Sequence, residues 1–171
     1  MVLHSELEAD AFILLMHLRG MARSLRALPV DKWDWTYAPP APTPRTLAVH
    51  ALAWLQCDRQ HINIADASSH RPVPEPPNDP EAICAAIELE ADAWEAMLKN
   101  MKPEDLDRAG RQFGIPDAAM NVRGFVAHMV QNVIYKHGQF STIFFALGLD
   151  GEGPYKAPFP NPIYKEVLGI G

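Results

Sequence analysis

The chain has 171 residues, of which 48% are hydrophobic and 21% charged, a composition typical of one folded globular domain. Its net charge of −6, with no cluster of lysine and arginine, disfavours nucleic-acid binding. The longest uninterrupted apolar run, Ala11 to Met16, is too short to cross a bilayer. Because the N-terminus also lacks a basic-then-apolar secretory pattern, we expect a cytoplasmic protein that does not associate with membranes.

The two cysteines, Cys57 and Cys84, lie in separate helical patterns. In a reducing compartment we expect small buried thiols rather than a disulfide bridge.

The first predicted helix begins at Ser5 and runs to about Ala27. Ser5 and Glu8 have the spacing of a capping box, and Pro29 follows the last turn. Apolar residues recur every three to four positions and predict one face towards a core. They are Leu7, Ala11, Leu14, Leu18, Met21, Leu25 and Leu28.

A proline-rich loop over residues 29–43, with Trp33 and Trp35, is expected to pack against the bundle. The second helix begins after it, because Thr43 suits the N-cap and Pro44 the first helical position. Its predicted inward stripe contains three polar residues among nine. The stripe consists of Leu47, His50, Ala51, Trp54, Leu55, Asp58, His61, Ile62 and Ala65.

A second proline-rich segment, residues 66–79, is long enough to let helices two and three run parallel. Asp79 and Pro80 predict the start of the third helix, which ends before Pro103. After a loop over 103–120, a fourth helix is predicted from about Asn121 to Leu147. The fold class is therefore all-α, a four-helix bundle over residues 1–148, and residues 149–171 form an irregular tail.

No phosphate-binding loop, nucleophile elbow, paired-cysteine zinc motif or His-Glu-x-x-His helix is present, which leaves the histidines as candidates for chemistry. His50 lies on the stripe of helix two, where a neutral imidazole could bind a divalent metal ion. The alternative is a core histidine satisfied by a hydrogen bond.

Asp58 and His61 share that stripe, and Asp58 could pair with a histidine, with Arg59 or with a basic residue across the bundle. A structural ion pair is the favoured interpretation. On helix four, His128, Asn132 and Lys136 follow one another at intervals of four and align along one edge. The pattern favours a surface position for His128, and it places His137 nearer the centre of the apolar stripe.

Two segments resemble the DinB/YfiT superfamily of bacterial proteins. One runs from Leu28 through Trp33 and Trp35 to the Thr43–His50 stretch, and the other is the stretch from His128 to Leu149 that contains Gly138-Gln139 and ends in Leu-Gly-Leu. The resemblance covers nearly the whole bundle. It implies an up-down-down-up bundle, a divalent-metal site of the nickel, zinc or iron type, and His50 as the first ligand.

The resemblance also implies two further ligands, six and two residues before Gly138, where this chain has Asn132 and Lys136. An amide is a weak ligand and an ammonium group repels a cation. His128 and His137 could supply nitrogens instead, so the candidate metal ligands are His50, His128 and His137. Alternatively, the Lys136 ammonium occupies the place of the metal, with Asp58 or an anionic ligand balancing its charge.

Two functions therefore stay open from the sequence. The first is a divalent-metal-dependent thiol transferase or hydrolase, and the second is a metal-free bundle that binds a small ligand or dimerises without catalysis. We expect a homodimer, with the tail, including Tyr155, Phe159 and Tyr164, as a candidate arm across the partner.

Overall fold

The computed structural model describes residues 5–109 and 120–149. They form four α-helices, α1 Glu6–Ala27, α2 Pro44–Asn63, α3 Pro80–Asn100 and α4 Val122–Ala146. Within these two ranges there is no strand, and one isolated bridge joins Ala109 to Asn121. The predicted all-α four-helix fold is confirmed. The domain boundary at residue 148 stays a prediction, because residues 150–171 of the tail lie outside the described ranges.

Each helix begins at a polar side chain that accepts a hydrogen bond from a backbone N–H three residues later. Such a cap satisfies one of the amide groups that have no partner inside the first helical turn. The caps are Ser5, Thr43, Asp79 and Asn121. None of the described helices combines the length and the apolar character that a bilayer crossing requires.

Contacts between the helices establish their relative directions. Arg123, at the start of α4, pairs with Glu6 at the start of α1, and His137 contacts His17 further along both helices, so α1 and α4 run parallel. Helices α2 and α3 are parallel, because Arg45 contacts Asn78 near their starts and Asn63 contacts Met97 near their ends. Helices α1 and α3 are antiparallel, as shown by the contacts Arg19–Glu95 and Arg26–Glu81. Helices α2 and α4 are antiparallel as well, as shown by the contacts Asp58–His128 and His61–Phe125. These directions agree with the predicted up-down-down-up order.

Polar contacts between α2 and α3 support the apolar core. The Trp94 indole is fully buried and donates from Nε1 to the carbonyl oxygen of Leu55 at 3.0 Å. The Arg59 guanidinium donates two hydrogen bonds of 2.8 Å to the buried Glu90 carboxylate. Both contacts leave the opposite side of α2 available to α4.

The loop before α2 is anchored by Trp33, as its composition predicts. Trp33 is 1% exposed, and the Arg45 guanidinium lies 5.8 Å from the centre of its ring. The backbone N–H of Arg45 also donates to the carbonyl oxygen of Trp33 at 2.9 Å. The tryptophan therefore positions the first turn of α2, which carries His50 one and a half turns later.

Gly20 allows α1 and α4 to approach each other around a pair of buried histidines. Nδ1 of His17 lies 2.9 Å from Nδ1 of His137, so one ring donates to the other. A Cβ atom on residue 20 would lie 2.6 Å from Cε1 of His137. Because the His137 ring is buried and bonded to His17, it cannot move aside freely.

We predict that Gly20→Ala destabilises the fold by about 1–3 kcal/mol, because the overpacking outweighs the better helix propensity of alanine. Gly138→Ala is the matched control, since Gly138 is also helical and a Cβ there would contact nothing within 4 Å. Urea denaturation of both variants checks the prediction. Equal free energies of unfolding for the two variants would contradict it.

Candidate functional site

A row of polar side chains lies where α2 faces α4, and we call it the α2–α4 seam. On each helix its residues are three or four positions apart or adjacent to such a position, so they share one side of the helix. The seam consists of His50, Trp54, Cys57, Asp58 and His61 on α2, and of His128, Asn132 and Lys136 on α4.

Asp58 is the most deeply buried polar residue of the seam, with 1% exposure. Its Oδ2 lies 2.6 Å from Nδ1 of His128, and its Oδ1 lies 3.4 Å from Nδ1 of His61. A buried carboxylate is costly unless charged or donating groups surround it. The two histidines supply them, one from each helix.

His61 connects Asp58 to a thiol. Its Nε2 lies 3.6 Å from Sγ of Cys57, and its ring packs against the rings of His70 and Phe125. Burial lowers the pKa of His61, but the contacts with Asp58 and Cys57 outweigh burial and raise this pKa to about 9. These contacts favour the protonated form of the His61 ring.

His50 is exposed, at the end of the seam near the start of α2. The Trp54 indole donates from Nε1 to Nε2 of His50 at 3.0 Å, and the edge of the same indole meets the His128 ring. Burial, followed by the positive charges of Lys136 and His128, lowers the pKa of His50. A neutral ring that accepts at Nε2 must carry its proton on Nδ1.

Lys136 brings a cation into the same end of the seam. The residue is 6% exposed, its Nζ lies 5.4 Å from the centre of the Tyr135 ring, and burial lowers the pKa of the ammonium group. Among the described residues it has no acidic partner, and Oδ1 of the neighbouring Asn132 is buried without a hydrogen bond. Lys136 and Asn132 are therefore polar groups whose bonding capacity is unused within the described fold.

The three histidines that the sequence predicts as metal ligands lie in two places. His50 and His128 both lie in the seam, and both rings contact the Trp54 ring. His137 lies in the α1–α4 interface, where it contacts His17. His50 is exposed rather than inside the predicted stripe, because it lies at the edge of the arc that α2 buries.

The His128 side chain is 35% exposed, and it also has a contact that the sequence pattern does not predict. The apolar pattern of α4 places it outside the hydrophobic stripe, but that side of the helix faces α2 and the carboxylate of Asp58. The predicted pairing of Asp58 with a histidine across the bundle is present, and Arg59 instead pairs with Glu90. Cys57 and Cys84 are both free thiols, as predicted, although Cys57 is only half-buried and contacts His61.

A family model described as the DinB superfamily matches residues 14–140, which include all of α2 and α3 and most of α1 and α4. The chain belongs to the DinB superfamily. A crystal structure of a DinB-like protein, YjoA from Bacillus subtilis, is similar with a TM-score of 0.62 and 16% sequence identity, over 82% of this chain and 92% of that chain. That likeness concerns the fold alone. No curated protein matches this chain.

The resemblance of the sequence predicts a metal site at His50 and at the positions of Asn132 and Lys136. These side chains do not fit a divalent cation. The indole of Trp54 occupies the Nε2 lone pair of His50, the Nδ1 lone pair is lost to the proton, and Lys136 adds a positive charge nearby. This end of the seam presents hydrogen-bond donors where a metal needs lone pairs.

A second group in the seam has donor atoms of suitable type. One donor atom each of Cys57, Asp58 and His61 lies within 4.8 Å of the others, and no other such trio is found in the described ranges. The closest contacts, however, use opposite nitrogens of the His61 ring, Nε2 towards Cys57 and Nδ1 towards Asp58. One metal ion binds one ring nitrogen, so the three side chains fit a chain of contacts through the His61 ring better than a coordination sphere.

We predict that His128→Ala lowers the free energy of unfolding by about 1–3 kcal/mol, because Asp58 loses its shortest contact and stays buried. His50→Ala is the matched control on the same seam, since that exposed ring only accepts one bond from Trp54. Chemical denaturation at neutral pH measures both. The prediction is wrong if His50→Ala costs as much as His128→Ala.

Proposed function

We propose that this chain is a metal-free member of the DinB superfamily that binds a small anionic molecule, a carboxylate or a phosphate, at Lys136. The observation that carries the proposal is the burial of Lys136, whose ammonium group has no acidic partner among the described residues. An unpaired charge in a protein interior costs several kcal/mol, and an anion beside it offsets that cost. The position coincides with one where the family resemblance expects a metal ligand.

The neighbours of Lys136 also suit an anion. His50 carries its proton on Nδ1 and is therefore a donor, and its lowered pKa keeps the ring neutral at physiological pH. The amide of Asn132 can turn its NH₂ group towards a ligand, because rotation about its last side-chain bond exchanges oxygen and nitrogen. A ligand that accepts hydrogen bonds can thus contact three different donors.

A depression on the surface of α4 borders Asn132, the neighbour of Lys136 on that helix. It has a volume of about 710 Å³, and Asn132, His128 and Tyr135 contribute to its wall. This volume accommodates a small organic molecule. Asp10 lines the depression on the α1 side, and Lys136 and His50 are not among its lining residues.

The alternative function is a divalent-metal-dependent thiol transferase or hydrolase. It would require the Trp54 indole to release Nε2 of His50, and Lys136 to lose its proton in the presence of the metal. The donor character of this end of the seam favours the anion. The predicted homodimer and the cytoplasmic location stay predictions.

Wild-type protein and a Lys136→Met variant should respond differently to small anions. We expect acetate, benzoate and inorganic phosphate, tested separately at constant ionic strength, to include at least one that raises the melting temperature of the wild type. Lys136→Met should abolish that rise, because methionine fills a similar volume without the charge. Lys99→Met, which removes an exposed lysine of α3, should respond as the wild type does.

Two results would contradict the proposal. The first is an equal response of the wild type and Lys136→Met to every anion. The second is stoichiometric nickel or zinc in wild-type protein refolded with the metal, dialysed and measured by elemental analysis.

The stability of the protein should also depend on Lys136 at alkaline pH. The pKa of this lysine is lower in the folded chain than its usual value of 10.5, so folding is penalised while the group is charged. As the pH rises through the folded pKa towards 10.5, that penalty disappears and the wild type gains stability relative to Lys136→Met. Urea denaturation from pH 7 to 10 measures the difference, with Lys99→Met as the control for general alkaline effects. A difference that stays constant with pH would show that Lys136 is not destabilised by burial.

A further inference from the structure

Four side chains of the seam form a continuous chain of contacts that the anion-binding end does not use. Cys57 Sγ lies 3.6 Å from Nε2 of His61, and the other nitrogen of that ring lies 3.4 Å from Oδ1 of Asp58. Oδ2 of the same carboxylate lies 2.6 Å from Nδ1 of His128. A thiol, an imidazole, a carboxylate and a second imidazole thus follow one another in order.

We propose that Cys57 is a nucleophilic thiol that exchanges with small-molecule disulfides, with His61 as its proton acceptor and with Asp58 and His128 as positioning residues. The thiolate is the nucleophilic form of cysteine, and a neighbouring imidazolium stabilises it. The carboxylate holds the imidazole ring with one nitrogen towards the sulfur. This inference concerns residues other than Lys136 and does not rest on the proposed anion site.

The burial of each group suits this role. Asp58 and His61 are buried, so solvent does not screen their attraction, whereas Cys57 is half-buried and can meet a small reagent. The raised pKa of His61 agrees with a ring that holds a proton between a carboxylate and a thiolate. His70 also packs against this ring, and it hydrogen-bonds to the carbonyl oxygen of Ile64.

The second cysteine provides an internal comparison. Cys84 is 2% exposed on α3, and burial raises the pKa of its thiol to about 11. A buried thiol of this kind is inert in the folded protein. Selective reaction at Cys57 would therefore reflect its surroundings and not a general property of the two cysteines.

The exchange step balances without a further reactant. The proton that Cys57 and His61 share lies on the imidazole, and the Cys57 thiolate attacks one sulfur of a disulfide R–S–S–R. A bond forms between the Cys57 sulfur and that sulfur, the original S–S bond breaks, and its electron pair leaves on the second sulfur. His61 returns the proton to the leaving thiolate, which gives R–SH and oxidises Cys57 to a mixed disulfide.

The test measures the rate at which dithiodipyridine, a small aromatic disulfide, modifies the folded full-length protein between about pH 5 and 9. We expect Cys57 to react at pH 6 at least about tenfold faster than free glutathione, because an ordinary thiol is mostly protonated there. Mass spectrometry of the adduct should locate one modification on Cys57 and none on Cys84. His61→Gln should lower the rate at pH 6 about tenfold or more, and Lys99→Met, which changes an exposed lysine of α3 outside the seam, should leave it unchanged.

Three outcomes would overturn the proposal. One is a wild-type rate that follows the pH dependence of free glutathione, and another is a rate that His61→Gln does not alter. The third is zinc bound in stoichiometric amount that protects Cys57 until a chelator removes it, which would assign Cys57, Asp58 and His61 to a metal site. If His61→Gln does not fold, the wild-type pH profile and the half-exposed His128→Gln variant decide, because loss of the positioning contact should shift that profile towards an ordinary thiol.

Discussion

The buried carboxylate of Asp58 is the constraint on which the interface between α2 and α4 depends. A charge with 1% exposure can persist in a bundle core only where donors surround it, and here these donors are His61 on its own helix and His128 on α4. Because the two oxygens have partners on different helices, the carboxylate restricts how α4 can slide or rotate against α2. The same register places the other seam residues of α2 and α4 next to each other.

The register gives the two ends of the seam opposite chemical character. Towards the start of α2, Lys136, the protonated nitrogen of His50 and the Asn132 amide offer donors. Towards its end, Asp58, His61 and Cys57 form a chain that begins at a carboxylate and ends at a sulfur. Membership of the DinB superfamily explains the common framework, but the chemistry follows from the residues that this chain places on it.

Much of the fold could be predicted from the sequence, because caps and apolar periodicity are local signals. Ser5, Thr43 and Asp79 each precede a helix at the expected position. The polar seam could be predicted only in part. Helix α2 covers a side of α4 that lies outside the apolar stripe, and apolar periodicity does not identify such a side. The pattern therefore does not predict the contact of His128 with Asp58. The contact between Cys57 and His61 depends on side-chain rotamers, which sequence spacing does not specify. His137 was expected near the metal, whereas its ring occupies the space that Gly20 leaves on α1.

In our proposal, the residues at the positions where the family resemblance expects metal ligands favour an anionic ligand over a cation. A site that binds a divalent cation must present lone pairs, and deprotonated or neutral donors keep its own charge low or negative. Replacing one ligand by a lysine adds a positive charge, and the indole of Trp54 then occupies the lone pair that His50 would have offered. Both changes weaken cation binding. Lys136 supplies a hydrogen-bond donor where a ligand would supply a lone pair, and the Trp54 indole occupies the lone pair of His50. A site that had merely lost its metal would not need a buried cation in its place, since a small apolar side chain would avoid the desolvation that lowers the pKa of Lys136. Retention of the ammonium group under that cost is the physical reason for assigning this end of the seam to an anion.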